Sequence, residues 1–516
     1  MIRSSIKTAL LLAAVIFGAH RPAAAEINYF LRPSADLQTV SVKMKVPSLT
    51  GIPIEVQLPS WMPGFYVLEN YWQSLTDVKA TDAEGHAIAV AHPKGDTWSV
   101  DPGQSAFVTL EYTRPLPRGE AAFGIFSGDA DTALIQGAQV YLYAVGRKEE
   151  RCTLDVEAPP NAQVAIGLEE NVPGKYTAFD YDTLADCPLT IGKLRVANYT
   201  VRGIQHTIAV RGKARANVDM QKALKLMRFI SLAESDFFEG LPYHKYVWQI
   251  NASLIPDGGG GVEHANSSQD FMAVSMGNAA MRGLAHEYFH LWNVKRIRSQ
   301  ALGPFDYTVL PRTGALWWLE GVTDYYASLL PYRYGWYGEK DLLGNAAYTI
   351  ASVRNNVNRL NVSPYESSLR VADADGGKGN SNGYLVSYYE EGWVLGLMFD
   401  IELRVRSEGK VSLDTVERAL WKQYQIGKPG FEEDEIRKQL ISAGGEDFGP
   451  LYDAWVMKPG DLPVEKQLAK IGLLLRTVGG RTTITIDQNA NPAAVALRAG
   501  WLQQKPLPED QKIAEK

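Results

Sequence analysis

Cysteine is scarce in this sequence, and so is any excess of positive charge. The only cysteines are Cys152 and Cys187, with no C-x-x-C spacing, which excludes a cysteine zinc site and a disulfide-dense scaffold. Lys and Arg total 52 against 58 Asp and Glu, for a net charge of −6. With no clustered basic stripe either, no nucleic-acid partner is expected. Beyond residue 25 no stretch is long and apolar enough to cross a bilayer, so no membrane span is expected. There is no internal repeat, which excludes a solenoid.

What is present describes a large globular chain. Apolar residues make up 46% and charged residues 21% of 516 residues, enough to bury a core and too long for one ordinary domain. Arg3 and Lys7, the apolar run Ala9 to Gly18 and the small residues Ala23, Ala24 and Ala25 have the order of a cleavable secretory signal. Residues 1–25 are therefore set aside as a signal peptide, and the style of the signal suggests export to a bacterial periplasm. In that oxidising setting Cys152 and Cys187 form a candidate disulfide; the alternative is two separate buried thiols.

The patterning divides the rest. Val40, Val42, Met44 and Val46 alternate with polar residues, as do Val108, Leu110 and Tyr112, and Val140, Leu142 and Ala144 repeat the period. Period two predicts strands, so residues 26–200 read as an antiparallel β domain. Helical spacing follows over 219–238, 281–292, 313–330, 388–406, 412–424 and 432–442, with a strand at 246–250. Residues 201–463 read as a mainly helical domain with a small β-sheet. A Gly-, Asn- and Asp-rich loop at 373–383 interrupts it, and residues 464–516 form a tail with strand character at 482–486. The fold class is α+β, multidomain.

His286-Glu287-Tyr288-Phe289-His290 is an H-E-x-x-H motif in a helical setting. Positions i and i+4 share a helix face, so both imidazoles can reach one zinc ion, with Glu287 beside the open coordination position. Zinc acidifies water, and Glu287 can take the proton as that water attacks a carbonyl. A catalytic zinc wants a third ligand, and Glu320 is the candidate. Asp324, four residues on, can orient a ligand histidine. The neighbouring Trp317, Trp318, Tyr325 and Tyr326 argue for a buried helix rather than a solvated pair of carboxylates.

Gly258 to Gly261 precede Val262-Glu263-His264. Gly260 and Gly261 can let a peptide substrate pair with a strand edge, and Glu263 can meet its α-amine. A flexible loop before an ordinary strand is an equal reading on spacing alone. His264 suits a hydrogen-bonding or structural role better than a ligand role. Tyr388 and Tyr389 open another helix, where a phenol aimed at the zinc can stabilise an oxyanion, though tyrosine pairs more often belong to cores.

These stretches resemble the glycyl aminopeptidase family of zinc metallopeptidases, of the gluzincin type. The shared residues are Gly259 to His264, His286 to Arg298, Trp318 to Tyr326, and Tyr389 to Gly392 with Asp400 and Arg404. Trp61-Met62-Pro63-Gly64-Phe65-Tyr66 resembles that family's Trp-x-Pro-Gly-x-Tyr turn. The resemblance implies an N-terminal β domain, a thermolysin-like catalytic domain, one zinc per chain and removal of small N-terminal residues such as Gly or Ala from peptides. It implies that Glu263 binds the substrate amine and that Tyr389 is the oxyanion donor, with Tyr388 its rival. The family usually ends in a PDZ domain. Here Asn491 to Ala494 and Arg498 to Gly500 resemble part of one, but too few residues follow Pro459 for a full module, so the tail reads either as a degenerate remnant or as a shortened form.

An endopeptidase of the same zinc chemistry is the alternative within enzymes, and a non-catalytic peptide-binding scaffold the alternative outside them. Three ligands, a base and a tyrosine together speak against the scaffold. Nothing in the sequence reads out an oligomeric state.

Overall fold

The computed structural model describes residues 26–49, 51–117, 127–254, 259–372, 385–425 and 429–509. The signal peptide, Gly258 and the 373–383 loop lie outside the described residues.

The alternation at Val40–Val46 becomes the strand Thr39–Pro47, with Val40, Val42, Met44 and Val46 buried, because a pleated strand sends successive side chains to opposite faces. It pairs with Ile27–Pro33 on one side and Phe107–Pro115 on the other, placing Val42 between Leu31 and Tyr112. These strands form the middle of an eight-stranded sheet. Its pairings are antiparallel except one, where Ile27–Pro33 runs parallel to Cys152–Val156. Two four-stranded sheets complete this β part.

Two expectations for this part need correcting. Residues 140–144 are not a strand throughout: Gly137–Val140 is a short helix and only Tyr143–Ala144 is extended. Every residue from 137 to 144 is buried, so the apparent period two carried no face information. The disulfide is not formed either. Cys152 and Cys187 are free, separately buried thiols. Cys152 sits on a strand opposite Ala178 with its Sγ donating to the Glu150 carbonyl at 3.5 Å, and Cys187 follows the Tyr181–Ala185 helix. Burial pushes both thiols up, so neither is readily a thiolate.

The second part is built on a five-stranded sheet in the order Arg195–Val201, Ile204–Arg211, Lys245–Ser253, Ser267–Ala273, Gly259–Glu263. Its three inner strands are parallel to one another. The glycine-rich segment closes one edge, antiparallel to its neighbour. The helix Met220–Phe237 makes the crossover between the first two parallel strands, started by Asp219, whose side chain accepts from the Gln221 and Lys222 amides. Helix Asn278–Phe289 packs against both the edge strand and the helix Thr323–Arg333.

The helix expected over 313–330 begins later and is wound differently. Trp317–Val322 is a π-helix that runs into the α-helix Thr323–Arg333. A π-turn closes its hydrogen bond one residue later than an α-turn, widening the helix, and is frequent at functional sites. The helix Tyr388–Arg406 crosses it at close range. The tail folds onto this same body as the helix Val464–Lys470, a hairpin of Leu473–Val478 and Arg481–Ile486, and the helix Pro492–Trp501. Its Leu468, Leu473, Ile484 and Trp501 join the hydrophobic cluster that holds the H-E-x-x-H helix, so the tail adds to that core rather than making its own.

The two parts are stitched by the loop after that helix. Phe305, Tyr307 and Leu310 enter the β part's core, the Ser60 amide donates to the Tyr307 carbonyl at 3.0 Å, and Trp61 Nε1 donates to the Asp306 carbonyl at 2.9 Å. Burying an aromatic of this size is worth roughly 2 kcal/mol or more. Among the described residues no helix is long and apolar enough to cross a membrane.

Candidate active site

Helical spacing does what the sequence expects of it. His286 is in the last turn of Asn278–Phe289, and His290 caps that helix in a right-handed conformation, its amide still bonded to the His286 carbonyl. The two Nε2 atoms lie 2.8 Å apart. Glu320 Oε2, from the π-helix, lies 3.3 Å from His286 Nε2 and 3.2 Å from His290 Nε2. Zinc bonds of about 2.0–2.1 Å place tetrahedral ligand atoms about 3.3 Å apart, so this triangle has the size of one zinc-coordination face.

The far side of each imidazole is fixed. His286 Nδ1 donates to Asp324 Oδ1 at 2.9 Å, and His290 Nδ1 donates to the Asn293 carbonyl at 2.8 Å. That choice of tautomer leaves both Nε2 lone pairs directed at the shared point. The electrostatics ask for a cation as well. Burial opposes charge on His286, but Asp324, Glu320 and Glu287 outweigh it and push its pKa well up. Burial alone would raise Glu320; His290 and His286 instead hold it well below the usual carboxylate range. The donor set of two neutral imidazoles and one carboxylate fits zinc.

Glu287 is buried beside this triangle. Burial, then the nearby Asp270, Glu263 and Glu320, push its pKa well up, against the opposing pull of His286. Its carboxyl rests on the edge strand at Gly261, where a Cβ would lie 2.6 Å from Glu287 Oε1. The glycine there makes room for the glutamate, a role that spacing did not reveal. Gly260 and Gly261 pair with Phe271 and Asp270 inward, and the strand is the last of its sheet. Glu263, at the end of the same strand, offers a carboxylate oxygen within 4.8 Å of ligand atoms of Glu287 and His290.

His264 turns away from the three ligands. Its Nδ1 lies 3.0 Å from Asp186 Oδ1, which also receives Lys295 Nζ at 2.9 Å. Lys295 Nζ is 3.9 Å from Glu263 Oε1. Burial would raise Asp186, but Lys295 and His264 overcome it and hold it low. Asp186, from the β part, thus anchors a buried cluster directly behind Glu263. Sequence reading gave Asp186, Lys295 and Asp270 no role. Lys295 lies inside the His286 to Arg298 stretch, which is its one signal in the sequence; Asp186, 109 positions away in the chain, has none.

Tyr388 and Tyr389 begin the helix Tyr388–Arg406, whose cap Ser387 accepts from the Glu390 amide. Their rings stack at 4.7 Å, and Tyr389 lies 5.9 Å, centroid to centroid, from the His286 ring. Tyr389 is the half-buried member and Tyr388 the buried one, so Tyr389 presents itself to the histidines. Beside Glu263 the site opens into a cavity of about 900 Å³ between the two parts, lined among others by Gly64, Tyr66, Lys295 and Arg298.

The profile described as M61 glycyl aminopeptidase matches residues 280–395, and the profile of the Peptidase M61 N-terminal domain matches residues 32–193. Together they take in more than half of the chain. The chain belongs to the M61 glycyl aminopeptidase family. Within this M61 peptidase the matched range 280–395 contains His286, Glu287, His290, Glu320, Asp324 and Tyr389, whereas Glu263 precedes it. Among solved structures, the M61 chain resembles an aminopeptidase N family protein from Idiomarina loihiensis, with TM-score 0.80 and 23% identity over 87% of this chain and 79% of that one. It also resembles the M1 zinc metallopeptidase from Deinococcus radiodurans bound to a Tyr-Ser-Ala substrate, with TM-score 0.52 and 14% identity over 86% and 95% of the two chains. A third likeness is yeast LTA4 hydrolase in complex with bestatin, with TM-score 0.52 and 14% identity over 86% and 68%. At these identities the likeness is one of fold. No curated protein matches the chain. The M61 protein is an enzyme, a peptidase.

Proposed function

We propose that this peptidase is an exported zinc aminopeptidase that removes small N-terminal residues such as Gly or Ala from peptides. The observation that carries the reading is the position of Glu263. A buried carboxylate within 4.8 Å of ligand atoms of Glu287 and His290 holds a substrate's free α-ammonium one residue from the bond to be cut, and blocks longer N-terminal extension.

A zinc ion held by His286, His290 and Glu320 supplies Lewis acidity, polarising the scissile carbonyl and acidifying water. Glu287 takes the proton from the attacking water and delivers it to the leaving amine. Its buried carboxyl, seated on Gly261 beside the ligand triangle, is placed to hold that proton for part of the cycle. Tyr389 donates a hydrogen bond to the carbonyl oxygen as charge develops on it. The edge strand Gly259–Glu263 offers backbone groups to an extended peptide. Export rests on the leader-like first 25 residues.

The test is hydrolysis of Gly- and Ala-anilides beside their N-acetylated forms by the purified mature chain. Cleavage of the free-amine forms alone is expected. Equal cleavage of acetylated forms would overturn the aminopeptidase reading.

An endopeptidase has one observation in its favour: the cavity of about 900 Å³ that continues past Glu263 leaves room for residues N-terminal to the anchored one. Cleavage of an internal bond in a blocked peptide would select it.

A further inference from the structure

The turn Trp61 to Tyr66 comes from the β part, yet its tip touches the site. Trp61 is buried and tied to the Asp306 carbonyl, and its ring stacks on Tyr66 at 6.3 Å. The Phe65 amide closes the turn on the Met62 carbonyl, and the Glu69 amide donates to the Ser60 carbonyl at 2.7 Å. Gly64 adopts φ +82°, and a Cβ there would lie 2.6 Å from Val262 Cγ1 and 2.7 Å from Glu263 Oε2. Only a residue without a side chain lets the turn sit this close to the carboxylate.

Tyr66 follows two residues later. Its ring packs against the hydrophobic clusters of both parts of the chain. Its hydroxyl makes no hydrogen bond among the described residues, and the carboxylates that act on it most strongly are Glu263 and then Glu320. It lines the cavity together with Glu263. Among the described residues this half-buried phenol has no hydrogen-bond partner, and it lines the cavity beside Glu263, so it is an unused hydrogen-bonding group at the place where substrate arrives.

We propose that Tyr66 is a second partner of the substrate's α-ammonium group. The inference rests on the aminopeptidase reading with Glu263 as the amine anchor. Glu263 Oε1 is turned toward Lys295 and Oε2 toward the Gly64 turn, so Oε2 lies on the side of the turn that carries Tyr66. An ammonium group has three N–H donors. Glu263 accepts from one, and the Tyr66 oxygen accepts from another. The substrate class this selects is peptides with a primary, unmodified amino terminus. An N-methylated terminus keeps only two N–H donors, so it satisfies the pair only when its methyl group takes the third direction, and the pair disfavours it.

The test uses the full mature enzyme and Tyr66→Phe, which keeps the ring that packs on Trp61. With Ala-anilide, KM is expected to rise about 10-fold with kcat within about 2-fold of wild type, since one hydrogen bond to a charged group is lost. The preference of wild type for Ala-anilide over N-methyl-Ala-anilide is expected to shrink, at an unchanged melting temperature. Unchanged KM and preference would overturn the proposal. So would a loss confined to kcat, which would make Tyr66 an oxyanion donor, or a fall in melting temperature with both constants, which would make it structural. Glu263→Gln is run beside it. If that variant still discriminates free from acetylated amines as wild type does, the amine-anchor reading itself falls and takes this one with it. If it loses that discrimination while Tyr66→Phe behaves as wild type, only the role of Tyr66 falls.

Discussion

Gly321 and Gly392 meet backbone to backbone: a Cβ on Gly392 would lie 2.8 Å from Gly321 Cα, and one on Gly321 would lie 2.7 Å from the Gly392 carbonyl carbon. This contact sets the π-helix bearing Glu320 against the helix bearing Tyr389. It couples Glu320, the proposed metal ligand, to Tyr389, the proposed oxyanion donor. Gly392→Ala should push the two apart and cost on the order of 1–3 kcal/mol of stability. Zinc affinity should weaken with it, because Glu320 moves while His286 and His290 do not. Thermal melts and a competitive zinc titration check this, and an unchanged zinc affinity would show that the crossing does not set the ligand.

Asp324 orients His286 through Nδ1 at 2.9 Å. Asp324→Ala should lower zinc affinity by about 10- to 100-fold with little change in fold. The check is a chelator titration of the variant beside wild type, read as the zinc concentration needed to restore activity.

Glu287→Gln keeps the shape of the side chain on Gly261 and removes the base. Zinc content should stay at the wild-type level while kcat falls by about 10²- to 10⁴-fold. Metal analysis and steady-state kinetics on Ala-anilide measure the two together. Retained turnover would take Glu287 out of the proton-transfer role.

Glu417 gives a pH signature away from the site. It is fully buried, and burial followed by Asp414 pushes its pKa up to about 8, against an opposing pull from Trp318. Between its ordinary range and about pH 8 the folded chain keeps a proton that the unfolded chain releases. This group's contribution to stability is therefore present at low pH and is lost as pH rises through that window. Glu417→Gln removes the effect. Its melting temperature should lie close to wild type near pH 5 and exceed it by a few degrees near pH 8, on the order expected for about 3–4 kcal/mol in a chain this long. Melting curves at both pH values decide it, and a constant offset would mean that Glu417 does not titrate in that window.

Much of this was legible in the sequence because it depends on period and local spacing. Thr39–Pro47, Phe107–Pro115, Met220–Phe237 and Tyr388–Arg406 follow from alternation or helical spacing with their caps, and the i, i+4 histidines met as that spacing requires. What the sequence hid depends on contacts between distant segments. Residues 137–144 are buried on every side, so period two misled there. The π-winding at Trp317–Val322 goes with close packing against Gly392, which no local signal announces. Cys152 and Cys187 looked pairable by compartment alone, and the fold gives each a separate packing site. Asp186 reaches Lys295 across 109 positions of chain, and Gly64 meets Glu263 from the other part of the molecule; pattern alone pairs neither.

The most direct test of the central claim is the rate on Ala-anilide and N-acetyl-Ala-anilide measured for the purified enzyme, after chelation and after one equivalent of zinc is returned. The account predicts cleavage of the free-amine substrate only, lost on chelation and restored by zinc. Cleavage that survives removal of the metal, or that treats the acetylated substrate equally, would contradict it.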